Sequence, residues 1–183
     1  MAKKNYVNNP EFLQAIVDYK KLCTEAEDSG DDKPQIPDYI GECIYQISTR
    51  LASKPNFSGY SYKDEMISDG LENAIQALGN FDPDKSSNPF AYFTQIIWYA
   101  FLRRIDKEKK QLYIKHKVTE NSVISGTAVE GAGDGDDAPS YIDLDNDYMT
   151  DFVKNYEKKM DEKKAQQQKR AKKGLEKFID NEE

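Results

Sequence analysis

The sequence predicts an all-α protein: a small helical bundle followed by a largely disordered acidic linker and a charged helical C-terminal tail. Three observations lead there. Apolar residues up to about Tyr113 recur at i, i+3, i+4 and i+7, and no stretch alternates as a half-buried strand would. Residues that start and stop helices bracket the periodic runs. From Lys117 to Thr150 the chain turns to Gly, Ser, Ala and Asp with few large aliphatics, a composition too polar to offset the entropy of ordering. The expected organisation is a helical domain over 1–115, a flexible linker over 116–150 and a tail over 151–183.

The first helix is expected over 10–27. Asn9 suits its N-cap and Pro10 the N1 position, where a missing N–H costs nothing. Phe12, Leu13, Ile16, Val17, Tyr19 and Cys23 form its apolar stripe. A Gly, Asp and Pro loop over Ser29–Pro37 leads to Asp38, a cap for a second helix that buries Ile40, Cys43, Ile44, Ile47 and Leu51 and ends near Ser53. After a loop over Lys54–Tyr60, Ser61 and Asp64 fit a capping box. The helix behind them carries Met66, Ile67, Gly70, Leu71, Ala74, Ile75 and Leu78 on one stripe, and Gly79 suits a left-handed C′. Glu65, Ser68, Asp69, Glu72 and Asn73 lie off that stripe and face solvent or a partner.

The fourth helix begins with Asn88 as cap and Pro89 at N1, then runs almost uncharged from Phe90 to Arg103. One helix cannot bury all of that against a small bundle. Phe93, Ile97 and Ala100, with Phe90 or Phe101, supply a core stripe; Tyr92, Gln95, Ile96, Tyr99 and Arg103 form a second face. Aromatics that lead into Arg103, Arg104, Lys107, Lys109 and Lys110 suit nucleic acid, since rings stack on unpaired bases for about 1–3 kcal/mol each and cations hold phosphates. The alternative is that a further helix covers these rings as core.

Charge is segregated. The formal net charge is −7, which argues against simple non-specific DNA binding, yet Arg103–Lys117 is basic and Glu120–Asp151 has no Lys or Arg. Cys23 and Cys43 are too few and too separated for a disulfide framework and read as reduced thiols of a cytoplasmic protein. No apolar run approaches the length of a membrane span, and no secretion signal opens the chain. The one His, His116, sits in a basic run without a nucleophile and acid arranged around it. There is no phosphate-cradling Gly-rich loop, and the Asp134–Asp137 cluster lacks calcium-loop spacing. No catalytic residue, metal or cofactor is expected.

Asp151–Lys173 returns to helix formers but has no apolar stripe after Tyr156 and Met160, so it reads as a charged single helix or a disordered tail. Its basic half can touch DNA or be a solvated face. Leu175, Phe178 and Ile179, at i, i+3 and i+4 in a polar tail, fit a short helix docking in an apolar groove, or a terminus that packs back or frays.

Three ordered runs add a resemblance: Asp64-Glu65-Met66-Ile67-Ser68-Asp69-Gly70-Leu71, Ala77-Leu78-Gly79-Asn80-Phe81-Asp82 and Phe90-Ala91-Tyr92-Phe93-Thr94. Between Tyr62 and Tyr113 the chain resembles region 2 of the bacterial sigma-70 family. Asn5-Tyr6-Val7-Asn8-Asn9, Asn56-Phe57-Ser58-Gly59-Tyr60, Tyr92-x-Thr94-Gln95 and the small size make it similar to the late-transcription sigma factors of T-even-type phages. The resemblance implies that Glu65, Ser68, Asp69, Leu71, Glu72 and Asn73 contact the clamp helices of the largest subunit of bacterial core RNA polymerase. It implies that Tyr92, Gln95, Ile96, Tyr99, Leu102, Arg103 and Lys107 read and melt a −10-like element of promoter DNA. It implies that Leu175, Phe178 and Ile179 dock on a phage sliding clamp, with a phage co-activator as a further partner, in the cytoplasm of an infected host. Gln95 and Ile96 stand where housekeeping members carry adjacent Trp, Trp98 is offset from those positions, and Ser68 replaces a Gln. Nothing after Tyr113 is apolar enough for the helix-turn-helix that reads a −35 element. The competing expectation is a polymerase-binding adaptor or anti-sigma protein that never reads DNA.

Overall fold

A computed structural model describes residues 6–124 and 147–179. The regular elements among them are helices: α1 (Asn9–Ser29), α2 (Asp38–Ala52), the single turn α3 (Pro55–Ser58), α4 (Lys63–Ala77) with a 3-10 turn at Leu78–Asn80, α5 (Pro89–Ile124) and α6 (Asp147–Ile179). The all-α expectation holds. The chain divides into two compact units, one ending at Glu108 and one beginning at Lys109, and α5 runs through the boundary.

In the first unit the helical stripes meet in one core. Phe12, Ile16 and Tyr19 come from α1; Ile40, Cys43, Ile44, Ile47 and Leu51 from α2; Phe57 from α3; Met66 and Ala74 from α4; Phe93, Ile97, Phe101 and Ile105 from α5. Each large side chain contributes on the order of 1.5–3 kcal/mol by leaving water. Of the two candidates for the α5 stripe, Phe101 is fully buried and Phe90 only partly, in an edge contact with Tyr6 at 5.6 Å. Ile75, expected in the core, is 44% exposed. The α4–α5 crossing falls at Gly70, where an added Cβ would lie 2.8 Å from Ser48 Oγ, 2.9 Å from Phe101 Cε1 and 3.0 Å from Ile97 Cγ2.

Several helix ends differ from the sequence expectation. Asn9 lies inside α1, which is preceded by Asn8, and its side chain serves α5 instead: Asn9 Oδ1 accepts the Phe90 N–H at 3.1 Å. Asp38 is the first residue of α2, after Pro37. Ser61 does not cap α4; Tyr62 precedes the helix and no side chain caps it. Gly79 is not left-handed, because α4 tightens into the 3-10 turn and Lys20 Nζ of α1 donates to the Gly79 and Phe81 carbonyls, meeting by a tertiary contact what a C′ glycine would meet locally. Gly30 is left-handed instead, at φ 75°, and closes α1 as the Gly30 and Asp31 N–H groups donate to the Glu27 and Ala26 carbonyls.

The second unit pairs the end of α5 with α6. Tyr113 stacks on Tyr156 with centroids 4.8 Å apart, its hydroxyl donates to Glu157 at 3.0 Å, and Val153 is buried. Lys117 bridges Glu120 and Glu157. The linker expected over 116–150 thus begins and ends in helix: α5 continues to Ile124 and α6 starts at Asp147. The intervening part of that expectation lies outside the described residues.

Candidate functional site

The start of α5 is fixed from two sides. Asn88 Oδ1 accepts the Ala91 N–H at 3.1 Å, as its N-cap position predicts, while Asn9 takes the Phe90 N–H. Helical geometry then distributes the side chains. Phe93, Ile97, Ala100, Phe101 and Ile105 turn inward, and Gln95, Tyr99, Leu102, Arg103 and Lys107 are exposed, Tyr99 by 52% and Leu102 by 40%.

Tyr92 and Ile96 do not share that exposure. Both are half-buried and packed against the core. The cause at Tyr92 is the turn after α4, which sets Phe81 edge-on to its ring at 5.1 Å, while the Tyr92 hydroxyl donates to the Ala77 carbonyl at 3.2 Å. Trp98 is partly buried and engaged edge-on with Phe57 at 4.8 Å. The aromatic face read from spacing therefore divides into an outer part at Gln95, Tyr99, Leu102 and Arg103 and a flank, Tyr92 and Ile96, that leans on the bundle.

The acidic helix divides similarly. Glu65, Ser68 and Glu72 are exposed; Ser68 Oγ donates to its own helix at Asp64, and Glu72 accepts from Gln76 at 3.2 Å. Leu71 is half-buried against the core. Asp69 and Asn73 are engaged by α5. Arg104 donates to both Asp69 oxygens, Nε at 2.6 Å and Nη2 at 2.7 Å, and to Glu108 at 3.2 Å. Asn73 Nδ2 donates to the Asp69 carbonyl at 2.7 Å, and Asn73 Oδ1 accepts from Arg103 at 2.6 Å. The bond to Asp69 raises the Arg104 guanidinium pKa above its already high range. A set of polar bonds thus ties the acidic helix to the basic stretch of α5. Sequence reasoning missed it because Asp69 and Arg104 are thirty-five positions apart and no local spacing pairs them.

Asp82 organises the turn between these helices. Its carboxylate accepts the Asp84 N–H at 3.0 Å and pairs with Lys85 at 2.9 Å, and the Lys85 bond first, then the Asp84 bond, holds it below the ordinary carboxylate range. Leu175, Phe178 and Ile179 fall within α6, but their side chains lie outside the described residues. Among the described residues no group of three or more His, Cys, Asp or Glu could hold a metal ion, and no helix is long and apolar enough to cross a membrane.

Residues 45–111 match the family model described as Sigma-70 region 2, just over a third of the chain, and a comparison with curated proteins gives no match. The matched span runs from the middle of α2 through both candidate faces and past the Arg104 cross-link. The match supports a sigma-factor-like role in RNA polymerase binding and promoter melting.

Proposed function

We propose that this chain, with its Sigma-70 region 2 domain over residues 45–111, is a sigma factor for phage late genes. The observation that carries the reading is the presence of two chemically distinct exposed surfaces on one small unit: Glu65, Ser68 and Glu72 on α4, and Gln95, Tyr99, Leu102, Arg103 and Lys107 on α5. The acidic surface, with Asp69, Leu71 and Asn73 beside it, takes the clamp helices of the largest polymerase subunit. The α5 surface takes a −10-like promoter element. Tyr99 stacks on a base once it leaves the duplex, Gln95 hydrogen-bonds an edge, and Arg103 and Lys107 hold phosphates. Tyr92 and Ile96 flank that surface and contribute the edges they leave open.

The helical domain ends near residue 115 in this reading, and the tail from 151 brings Leu175, Phe178 and Ile179 to a phage sliding clamp. In this reading clamp attachment raises the effective concentration of polymerase near the promoter. A phage co-activator would act in the same complex, in the cytoplasm of the infected host. The half-burial of Tyr92 and Ile96 favours a second reading, an adaptor or anti-sigma protein that binds polymerase without touching DNA.

Initiation by core polymerase on a premelted −10-like duplex separates the two. The sigma reading expects specific initiation only with this chain present, lowered at least tenfold by Tyr99→Ala, with polymerase binding unchanged. Glu72→Lys should lower polymerase binding instead. Tight polymerase binding without initiation would establish the adaptor.

A further inference from the structure

α6 is exposed at every residue from Lys158 to Ala171, so this stretch contributes nothing to a core among the described residues. Its charge is one-sided in sequence. Residues 163–173 hold Lys163, Lys164, Lys169, Arg170, Lys172 and Lys173 and not one Asp or Glu. A solvated helix of this kind is normally supported by opposite charges one turn apart. Here neither Lys169 nor Arg170 has an acid at i±3 or i±4, although Lys159 has Glu162 at i+3.

The cations are also arranged. At about 100° per residue, Lys159, Lys163, Gln166 and Arg170 fall on one stripe about 16 Å long. Val153, Tyr156, Glu157 and Met160 mark the side of α6 that faces the end of α5, and the stripe lies roughly a third of a turn away from it. Three cations and an amide donor within two phosphate spacings or so, on a helix about 10–12 Å across, match the charge and the groove dimensions of duplex DNA.

We propose that this stripe on α6 binds the phosphate backbone of duplex DNA without regard to sequence, at a place separate from the α5 surface. The proposal stands on α6 alone and does not require promoter reading.

The test uses the full chain, a random-sequence DNA duplex and no polymerase, with binding followed by fluorescence anisotropy across about 50–200 mM salt. The stripe variant Lys159→Gln/Lys163→Gln/Arg170→Gln is compared with Lys21→Gln/Lys33→Gln/Lys54→Gln, which changes net charge equally at exposed positions of the first unit. The stripe variant should bind about tenfold or more weakly at the lowest salt, with the log–log salt slope reduced by about 2.7, while the control triple stays close to the parent. Equal losses in both triples would reduce the effect to net charge and overturn the proposal. A stripe variant that keeps its duplex affinity but loses affinity for core polymerase would assign the stripe to an acidic protein surface and overturn it too. Initiation on a premelted promoter is scored separately, so failure of the sigma reading leaves this outcome distinct.

Discussion

Asp69→Asn and Arg104→Gln, singly and together, measure how far the acidic face is also architecture. The Asp69–Arg104 pair is bidentate at 2.6 and 2.7 Å, and its side chains are only 29% and 17% exposed. A solvent-exposed ion pair is worth about 0–1 kcal/mol, whereas charge-assisted hydrogen bonds to partly covered groups reach about 1.5–3. With Glu108 holding a third arm of Arg104 at 3.2 Å, a coupling energy of about 2 kcal/mol is expected, close to a thirtyfold change in the folding equilibrium. Urea unfolding of the four proteins gives that coupling directly. A coupling below about 0.5 kcal/mol would refute the inference that the cross-link fastens α4 to α5. The result bears on function, because Asp69→Lys places two cations together and should destabilise the domain. Any loss of polymerase binding it causes is then ambiguous, while the same change at exposed Glu72 reports on the surface itself.

Three further outcomes follow from the same geometry. Gly70→Ala gains about 1 kcal/mol of helix propensity but overpacks a site whose neighbours lie within 3.0 Å of the new Cβ, at a cost of about 1–3 kcal/mol; a lowered urea midpoint is expected, and a raised one would mean a looser α4–α5 crossing. Asn88→Ala removes the acceptor for the Ala91 N–H and should cost about 1 kcal/mol, read as a lowered thermal midpoint. Asp82 has a depressed folded pKa, so its contribution is present above the ordinary carboxylate value near 4 and lost as pH falls through the folded value; Asp82→Asn should flatten that part of the acid stability profile, and an unchanged slope would count against the Lys85 and Asp84 bonds in solution.

The sequence was most legible where the determining contacts are local. Ile40, Cys43, Ile44, Ile47 and Leu51 are all buried as their spacing requires, because a helical stripe needs no knowledge of what lies opposite. Asn88 caps α5 because donor and acceptor are three residues apart. Legibility failed where a distant group took over a local task. Lys20 satisfies carbonyls at Gly79 and Phe81, so Gly79 does not turn left-handed; Asn9 is diverted to α5; and Phe81 covers part of Tyr92, which spacing alone placed on an open face. On α5 and α4, local spacing gave the exposure of Gln95, Tyr99, Glu65 and Glu72, while distant contacts from Phe81 and Arg104 partly cover Tyr92 and Asp69.

The engagement of Arg104 changes what the basic stretch of α5 can offer DNA under the proposed function. Counted from sequence, Arg103, Arg104 and Lys107 are three equivalent cations. In the fold they are not. Arg104 is committed to Asp69 and Glu108, and releasing it would leave two carboxylates facing each other across the crossing. Arg103 has one guanidinium nitrogen on the neutral Asn73 amide, an exchange that costs far less to break. Lys107 is exposed. Under the proposed function, the charge this part of α5 leaves for phosphates is therefore nearer two than three. The helix that carries the aromatics commits one arginine to the acidic helix, and under the proposed function what remains for DNA is a short surface of one exposed ring, one leucine, one amide and two cations. A surface that small discriminates weakly on its own, which is a physical reason for such a chain to need other attachments to its template.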